Sequence, residues 1–205
     1  MHRKIGKEET MLFKRTIELE ADIEKKNGRQ FEVGDVIAFA LTNGEEVEAM
    51  AMKAEEDGMI FALVDCIEDE QPMMKDGKLW MREYLNRDLY IRFPVEIRNM
   101  MLPFEHADML RLLTQKEVFG ENIWESDIDE EEYEWLEPMK DRRNRIAFQG
   151  KDSSVDDWCW YWLADQLRDV ASGATFAGVY GTGYSSGYSA SDTYGVRPAF
   201  KLSLI

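Results

Sequence analysis

Gly183-Tyr184-Ser185-Ser186-Gly187 has the G-x-S-x-G spacing of a nucleophile elbow. That motif works because a strand leads in, a helix leads out, and the serine is left exposed on a strained turn. The residues that follow here, YSASDTYG, are poor helix formers, and the last histidine of the chain, His106, precedes the serine. The Ser…His order is therefore missing, and the spacing is expected by chance in so Gly- and Ser-rich a segment. His106 sits between Glu105 and Asp108, but one histidine in a polar turn is expected to be structural rather than a metal ligand. Cys66 and Cys159 each lie in an apolar run with no adjacent base, so both are expected to be small buried hydrophobes and not nucleophiles. Gly150-Lys151 lacks the rest of a phosphate-binding loop. Carboxylates are too plentiful for any one acid–base pair to stand out. No catalytic residue, metal site or cofactor is predicted.

The whole chain sets further bounds. Its 205 residues carry a formal charge of −16, with 44% hydrophobic and 12% aromatic side chains. That composition buries a core. The charge argues against nucleic acid and anionic membrane surfaces, because phosphate binding needs a basic face. The opening MHRKIGKEETMLFKR has no apolar signal core, and no apolar run approaches membrane-spanning length. A cytoplasmic, disulfide-free protein is expected.

The elements that would position these residues fall into three blocks. Residues 10 to 27 read as a helix with Leu12, Thr16, Leu19 and Ile23 on one face, Thr10 as N-cap and Gly28 as terminator. Residues 1 to 30 are then an N-terminal helical appendage, with a dimerisation helix as the alternative. A three-stranded meander follows, with a type I′ turn at Asn43-Gly44, a reversal at Asp57-Gly58, and MIFALVDC as a central strand. LWMREYLNRDLYIRF reads as a helix ended by Pro94, with Leu79, Met81 (or Arg82), Leu85, Leu89 and Phe93 at helical intervals; PVEIRNMM is a second, and Thr114 with Glu117 forms a capping box closed by Gly120. Residues 121 to 137 hold nine acidic and no basic side chains, and KDRRNR follows with four basic ones. The acidic run is expected to be a solvated loop or helix face, with a weak cation site as the alternative, and it lacks the spacing of a calcium loop. In DWCWYWL, Trp158, Trp160 and Trp162 alternate with Cys159, Tyr161 and Leu163, the pattern of one strand buried on both sides or nearly so. The closing GVRPAFKLSLI alternates similarly, with Pro198 placing its start at an edge or bulge and Arg197 bonding backbone carbonyls or an acid in a semi-buried corner. Strands, then helices, then strands predict one α+β domain over residues 31 to 205 whose ends meet.

From Ser172 to Gly195 there are six glycines, five serines, three threonines and four tyrosines, with no Lys, Arg or Glu. A disordered linker is poor in aromatics, so Tyr180, Tyr184, Tyr188 and Tyr194 argue for order. Either they pack inward with glycines making turns, or they project as rigid anchors among adaptable hydroxyls, as in antibody binding loops.

The succession VGDVIAFAL, LNRDLYIRFP, LRLLTQKEVFG, MKDRRNRIAF, WYWL and YGVRPAF resembles a bacterial and prophage family of unknown function. That family is marked by a W-W-L-R-S-like strand and a closing G-V-R-P-A-[FL]. The resemblance spans residues 31 to 205. Where the family has Arg-Ser this chain has Ala164-Asp165, so no role for that arginine carries over, and Arg168 is the candidate substitute. More distantly, the layout is similar to C-type-lectin-like domains, including the formylglycine-generating enzyme group and phage proteins diversified by retroelements. There, a Trp-bearing strand precedes a variable binding segment and a closing Gly-x-Arg strand. The enzyme version relies on reactive cysteines near the C-terminus, which nothing here matches.

The resemblance tips the tyrosine segment toward a binding face. The expectation is a non-enzymatic module recognising a protein or glycan through Tyr180, Tyr184, Ser185, Ser186, Tyr188, Ser189, Asp192 and Tyr194. Trp124 and Trp135 extend that face, and Trp158, Trp160, Trp162 and Arg197 serve the structure. An acidic protein gripping a basic partner through residues 121 to 137, or a carboxylate-based hydrolase, are the alternatives.

Overall fold

The computed structural model describes residues 15–18, 31–150, 158–168 and 174–203. Most of the helix expected over residues 10 to 27 lies outside these. The four residues described within it form a strand, β1 (Arg15–Glu18), parallel to β2 (Asp35–Ala40). This corrects the helical expectation there: pairing with β2 overrides the weak helical periodicity.

β2, β3 (Glu46–Ala54) and β4 (Gly58–Leu63) form the expected antiparallel meander. The first turn is wider than a two-residue hairpin. Leu41 N–H donates to Glu45 O at 2.8 Å, Gly44 N–H to Leu41 O at 2.8 Å, and only Gly44 takes a positive φ, 89°. Every residue of β4 is buried, as its two-faced apolar run requires. The closing strand β15 (Ala199–Ser203) pairs with β4 from Ala199↔Ala62 to Ser203↔Gly58, and β8 (Met101–Leu102) caps its far side. β15 is thus internal. Pro198 precedes its first paired residue, so the missing N–H costs the ladder nothing.

The sheet divides two apolar layers. Ile37, Phe61, Leu63, Phe200 and Leu202 point to one, and Val36, Met50, Ile60, Ala62 and Ala199 to the other. Period-two alternation alone sorts them. In the first layer Phe61 stacks on Phe200 at 5.7 Å and Phe93 meets Phe200 edge-on at 5.3 Å. Such ring pairs contribute about 0.5–1.5 kcal/mol each beyond their burial.

Phe93 arrives on the expected helical stretch, which runs from Met81 to Arg92 as successive α, π and 3-10 turns. Met81, Leu85 and Leu89 are buried, but Leu79 lies outside the helix, in the short β7 (Lys78–Leu79), and is 54% exposed. Pro94 caps the helix Val95–Met100. Both halves of the capping box form at the helix Gln115–Phe119: Thr114 N–H donates to Glu117 Oε2 at 2.9 Å and Glu117 N–H to Thr114 Oγ1 at 3.2 Å. Gly120 closes it with a φ of 84°.

The second layer is shared with a smaller antiparallel sheet, β11 (Tyr161–Gln166), β12 (Thr175–Val179) and β13 (Ser185–Ser189). Two further short pairs are β5 (Gln71–Pro72) with β14 (Thr193–Tyr194) and β6 (Met74–Lys75) with β7. Strands, helices and antiparallel sheets make the chain α+β. No helix among the described residues is long and apolar enough to cross a membrane.

Candidate functional site

The tryptophan run is not one continuous strand. Trp158 and Cys159 form β10, paired with β9 (Ala147–Phe148); Trp160 interrupts, and β11 starts at Tyr161. At the break Trp160 O accepts from Gly195 N–H at 2.8 Å, and Trp162 N–H donates to Gly195 O at 3.2 Å. Alternation still holds around the interruption. Cys159, Tyr161 and Leu163 join one core layer and Trp162 the other. Trp160 departs from the expected burial, being 38% exposed.

β12 and β13 form a hairpin whose mouth is set by Tyr180 N–H donating to Tyr184 O at 2.8 Å. Gly183 N–H donates to Tyr180 O at 2.7 Å, and Gly183 takes a φ of 81° that an L side chain resists. Arg142 Nη1 donates to Thr182 O at 2.7 Å, pinning the turn from outside. Ser185 and Ser186 lie on β13, where a nucleophile elbow would need a helix.

This frame separates the four tyrosines. Tyr188 is core, 8% exposed, its ring 5.9 Å from Trp160, 5.8 Å from Trp162 and 4.3 Å from Tyr194. Gly178 makes room for it: a β-carbon there would lie 2.5 Å from the Tyr188 ring. Burial pushes the Tyr188 phenol up to about 12. Tyr188 therefore leaves the set of surface anchors. Tyr194 is half-buried against Trp160 and Trp162, with its phenol also raised, first by burial and then by Asp192.

Tyr180 and Tyr184 remain outside, 41% and 60% exposed. Tyr180 rests on Trp160 at 4.6 Å, and Tyr184 carries the Arg142 guanidinium over its ring at 5.0 Å. Trp124, reaching in from the acidic segment, donates from Nε1 to Ser185 Oγ at 2.9 Å. Trp160, Tyr180, Tyr184, Arg142, Ser185 and Trp124 thus surround one hairpin. Ser186 is half-buried, Ser189 and Asp192 are exposed further along, and Trp135 lies elsewhere, packed over Gly120. Sequence reasoning missed Arg142, whose only signal was the basic KDRRNR after the acidic run, and it gave Trp160 a structural place and no part in the binding face.

Asp165 holds Trp124 in place indirectly. It is fully buried, accepts Gln115 N–H at 2.8 Å, and lies 3.2 Å from the donating Ser126 hydroxyl. Gln115 in turn accepts Trp124 N–H at 3.1 Å and donates to Trp124 O at 3.0 Å. Burial raises the Asp165 carboxyl above its ordinary range, and these donors oppose the rise. Asp165→Ala strands the donors of Gln115 and Ser126 and should cost about 1–3 kcal/mol. Urea unfolding checks it, and Asp165→Asn should recover part of the loss.

Asp127, Asp129, Glu132 and Glu134 of the acidic segment border a cleft of 710 Å³. Its central cation, Arg111, is bound by both oxygens of Glu117 at 2.7 and 2.6 Å and lies over the Phe104 ring at 4.6 Å. Lys201 reaches Asp57 at 3.1 Å. His106 sits at the rim in a turn with a φ of 56°. Asp108 beside it is taken by Arg82 at 2.7 Å. Among the described residues no three His, Cys, Asp or Glu side chains converge as a metal site.

Arg197 is more deeply buried than a semi-buried corner implies, at 3% exposed. It donates from Nε to Leu63 O at 2.6 Å, and from Nη1 to Asn144 O and the Tyr161 hydroxyl, each at 3.0 Å. Backbone carbonyls are its partners, as expected. Comparison with protein-family models, with curated proteins and with solved structures returns no match.

Proposed function

We propose that the chain is a non-enzymatic binding module recognising a protein or glycan through the aromatic face of its β12–β13 hairpin. The supporting observation is the pair Trp160–Tyr180, ring centroids 4.6 Å apart and both partly open to solvent, beside the 60% exposed Tyr184. Large aromatics on a hydrogen-bonded turn lose little entropy on binding, and flanking Ser185 and Ser186 offer adaptable hydrogen bonds. Arg142 adds a fixed donor and charge. A C-type-lectin-like arrangement, and kinship with the prophage family of the G-V-R-P-A-F motif, form part of this proposal. Its support is the order of parts: Trp strand, Tyr-rich hairpin, closing Gly-x-Arg strand returning to the main sheet.

The test is a panel of immobilised neutral and acidic oligosaccharides together with a displayed peptide library, probed with wild type and with the Tyr180→Ala/Tyr184→Ala double variant. Retained wild-type binding should weaken about tenfold or more in the double variant, the loss expected for interface anchors. Equal binding by both proteins sinks the proposal. So does wild type that binds neither panel.

A further inference from the structure

Cys66 and Cys159, ninety-three positions apart in the chain, meet in the interior. Cys66 N–H donates to Phe148 O at 2.9 Å just after β4, and Cys159 pairs with Ala147 on β10. The two are 1% and 3% exposed. Gly195 shows how close the sulfurs are. A β-carbon on it would lie 1.9 Å from Cys159 Sγ and 2.6 Å from Cys66 Sγ, so both sulfurs crowd the surface of one glycine. The Cys159 thiol donates to Gln149 Oε1 at 3.1 Å, and Gln149 is held by donating from Nε2 to Ile67 O at 2.7 Å. Both thiols are free in this state.

A second observation sets this pair apart from ordinary buried cysteines. Arg197 is buried beside it with carbonyl and hydroxyl partners, and among the described residues no carboxylate forms an ion pair with it. Burial first, and then the hydrogen bond and charge of Cys159, push the Cys66 thiol well above its ordinary value, and the positive charge of Arg197 opposes them only in part. Attack from Cys66 therefore waits on the local opening that admits the oxidant.

We propose that Cys66 and Cys159 are a latent intramolecular disulfide, closed by a small peroxide that enters on local opening and reopened by a dithiol reductant. In the first step the Cys66 sulfur gives an electron pair to one peroxide oxygen. The O–O bond breaks and the departing hydroxide takes the thiol proton as water, leaving a sulfenic acid. Cys159 Sγ then attacks the Cys66 sulfur; the S–O bond breaks and a second water leaves with the Cys159 proton. Two thiols lose two electrons in all, and one peroxide becomes two waters. The bond would tie the end of β4 in the main sheet to the tryptophan strand under the hairpin. It goes beyond the binding proposal and does not depend on it.

The experiment uses the whole folded chain, reduced and then treated with hydrogen peroxide. Free thiols are counted after denaturation, and a non-reducing digest is mapped by mass. The expected result is loss of both thiols together, a peptide pair joined through Cys66 and Cys159 in monomeric protein, and full recovery with dithiothreitol. Cys66→Ser and Cys159→Ser should each retain one thiol and give no joined pair within a monomer. Thiols that stay free while exposed methionines oxidise would overturn the proposal. Sulfinic acid without a cross-link, or a link only between two molecules, would do so equally.

Discussion

Gly195→Ala is expected to lower stability by about 3 kcal/mol, the upper end of what one added methyl costs in a packed core. The new carbon would be placed 1.9 Å from Cys159 Sγ, 2.6 Å from Cys66 Sγ and 3.1 Å from Cys66 Cβ. Neither side yields easily. Gly195 is fixed by hydrogen bonds to Trp160 O and from Trp162 N–H, while Cys159 is held by its backbone pairing in β10 and by Gln149. Urea unfolding gives the loss directly. Removing the nearer sulfur should return part of it, so Cys159→Ala/Gly195→Ala should be less destabilised than the two single changes predict together. Additive losses would show that the clash is relieved by backbone movement instead.

The second large effect separates two tyrosines of the same hairpin. Tyr188→Ala should cost about 3–5 kcal/mol, because it empties a ring-sized space between Trp160, Trp162 and Tyr194. Tyr184→Ala should change stability by no more than about 0.5 kcal/mol, as exposed substitutions do, since its ring is 60% exposed. Alkali gives an independent check. The phenol of Tyr188 ionises at about 12 in the fold, above its ordinary 10, because burial favours the neutral form. Its contribution to stability is therefore whole below pH 10 and lost as pH rises through about 12. A Tyr188→Phe variant should lack that part of the alkaline decline.

Much of the frame was legible from local pattern. The meander, the fully buried third strand, the capping box at Thr114 and the return of the closing strand follow from period-two alternation, turn residues and a four-residue cap, all short-range signals. The misreadings share a cause. At Arg15–Glu18 periodicity alone suggested a helix, and the pairing with β2 that decides otherwise is a tertiary fact. Leu79 fitted the spacing of a helix that begins two residues later. Trp160 fitted one continuous strand, but the strand is interrupted there, where its carbonyl accepts from Gly195 N–H, thirty-five residues downstream.

The candidate site was read in outline and not in detail. Composition marked residues 172 to 195 as a unit, yet it could not sort Tyr188 from Tyr184, because that depends on Gly178 admitting one ring. Arg142 and Asp165 reach the hairpin only through the folded arrangement of distant segments. The meeting of Cys66 and Cys159 was equally invisible, since each cysteine alone looked like an ordinary buried residue.

The place of β15 between β4 and β8 has a consequence for birth on the ribosome. β4 emerges early, fully apolar and with one edge unpaired, and its permanent neighbour Ala199–Ser203 is made well over a hundred residues later. Until then the exposed edge is a template for any other strand in reach. Newly made chains should therefore depend on slow dilution or on chaperone cover during that interval, and a stop codon before Ala199 should yield aggregates rather than a smaller folded protein.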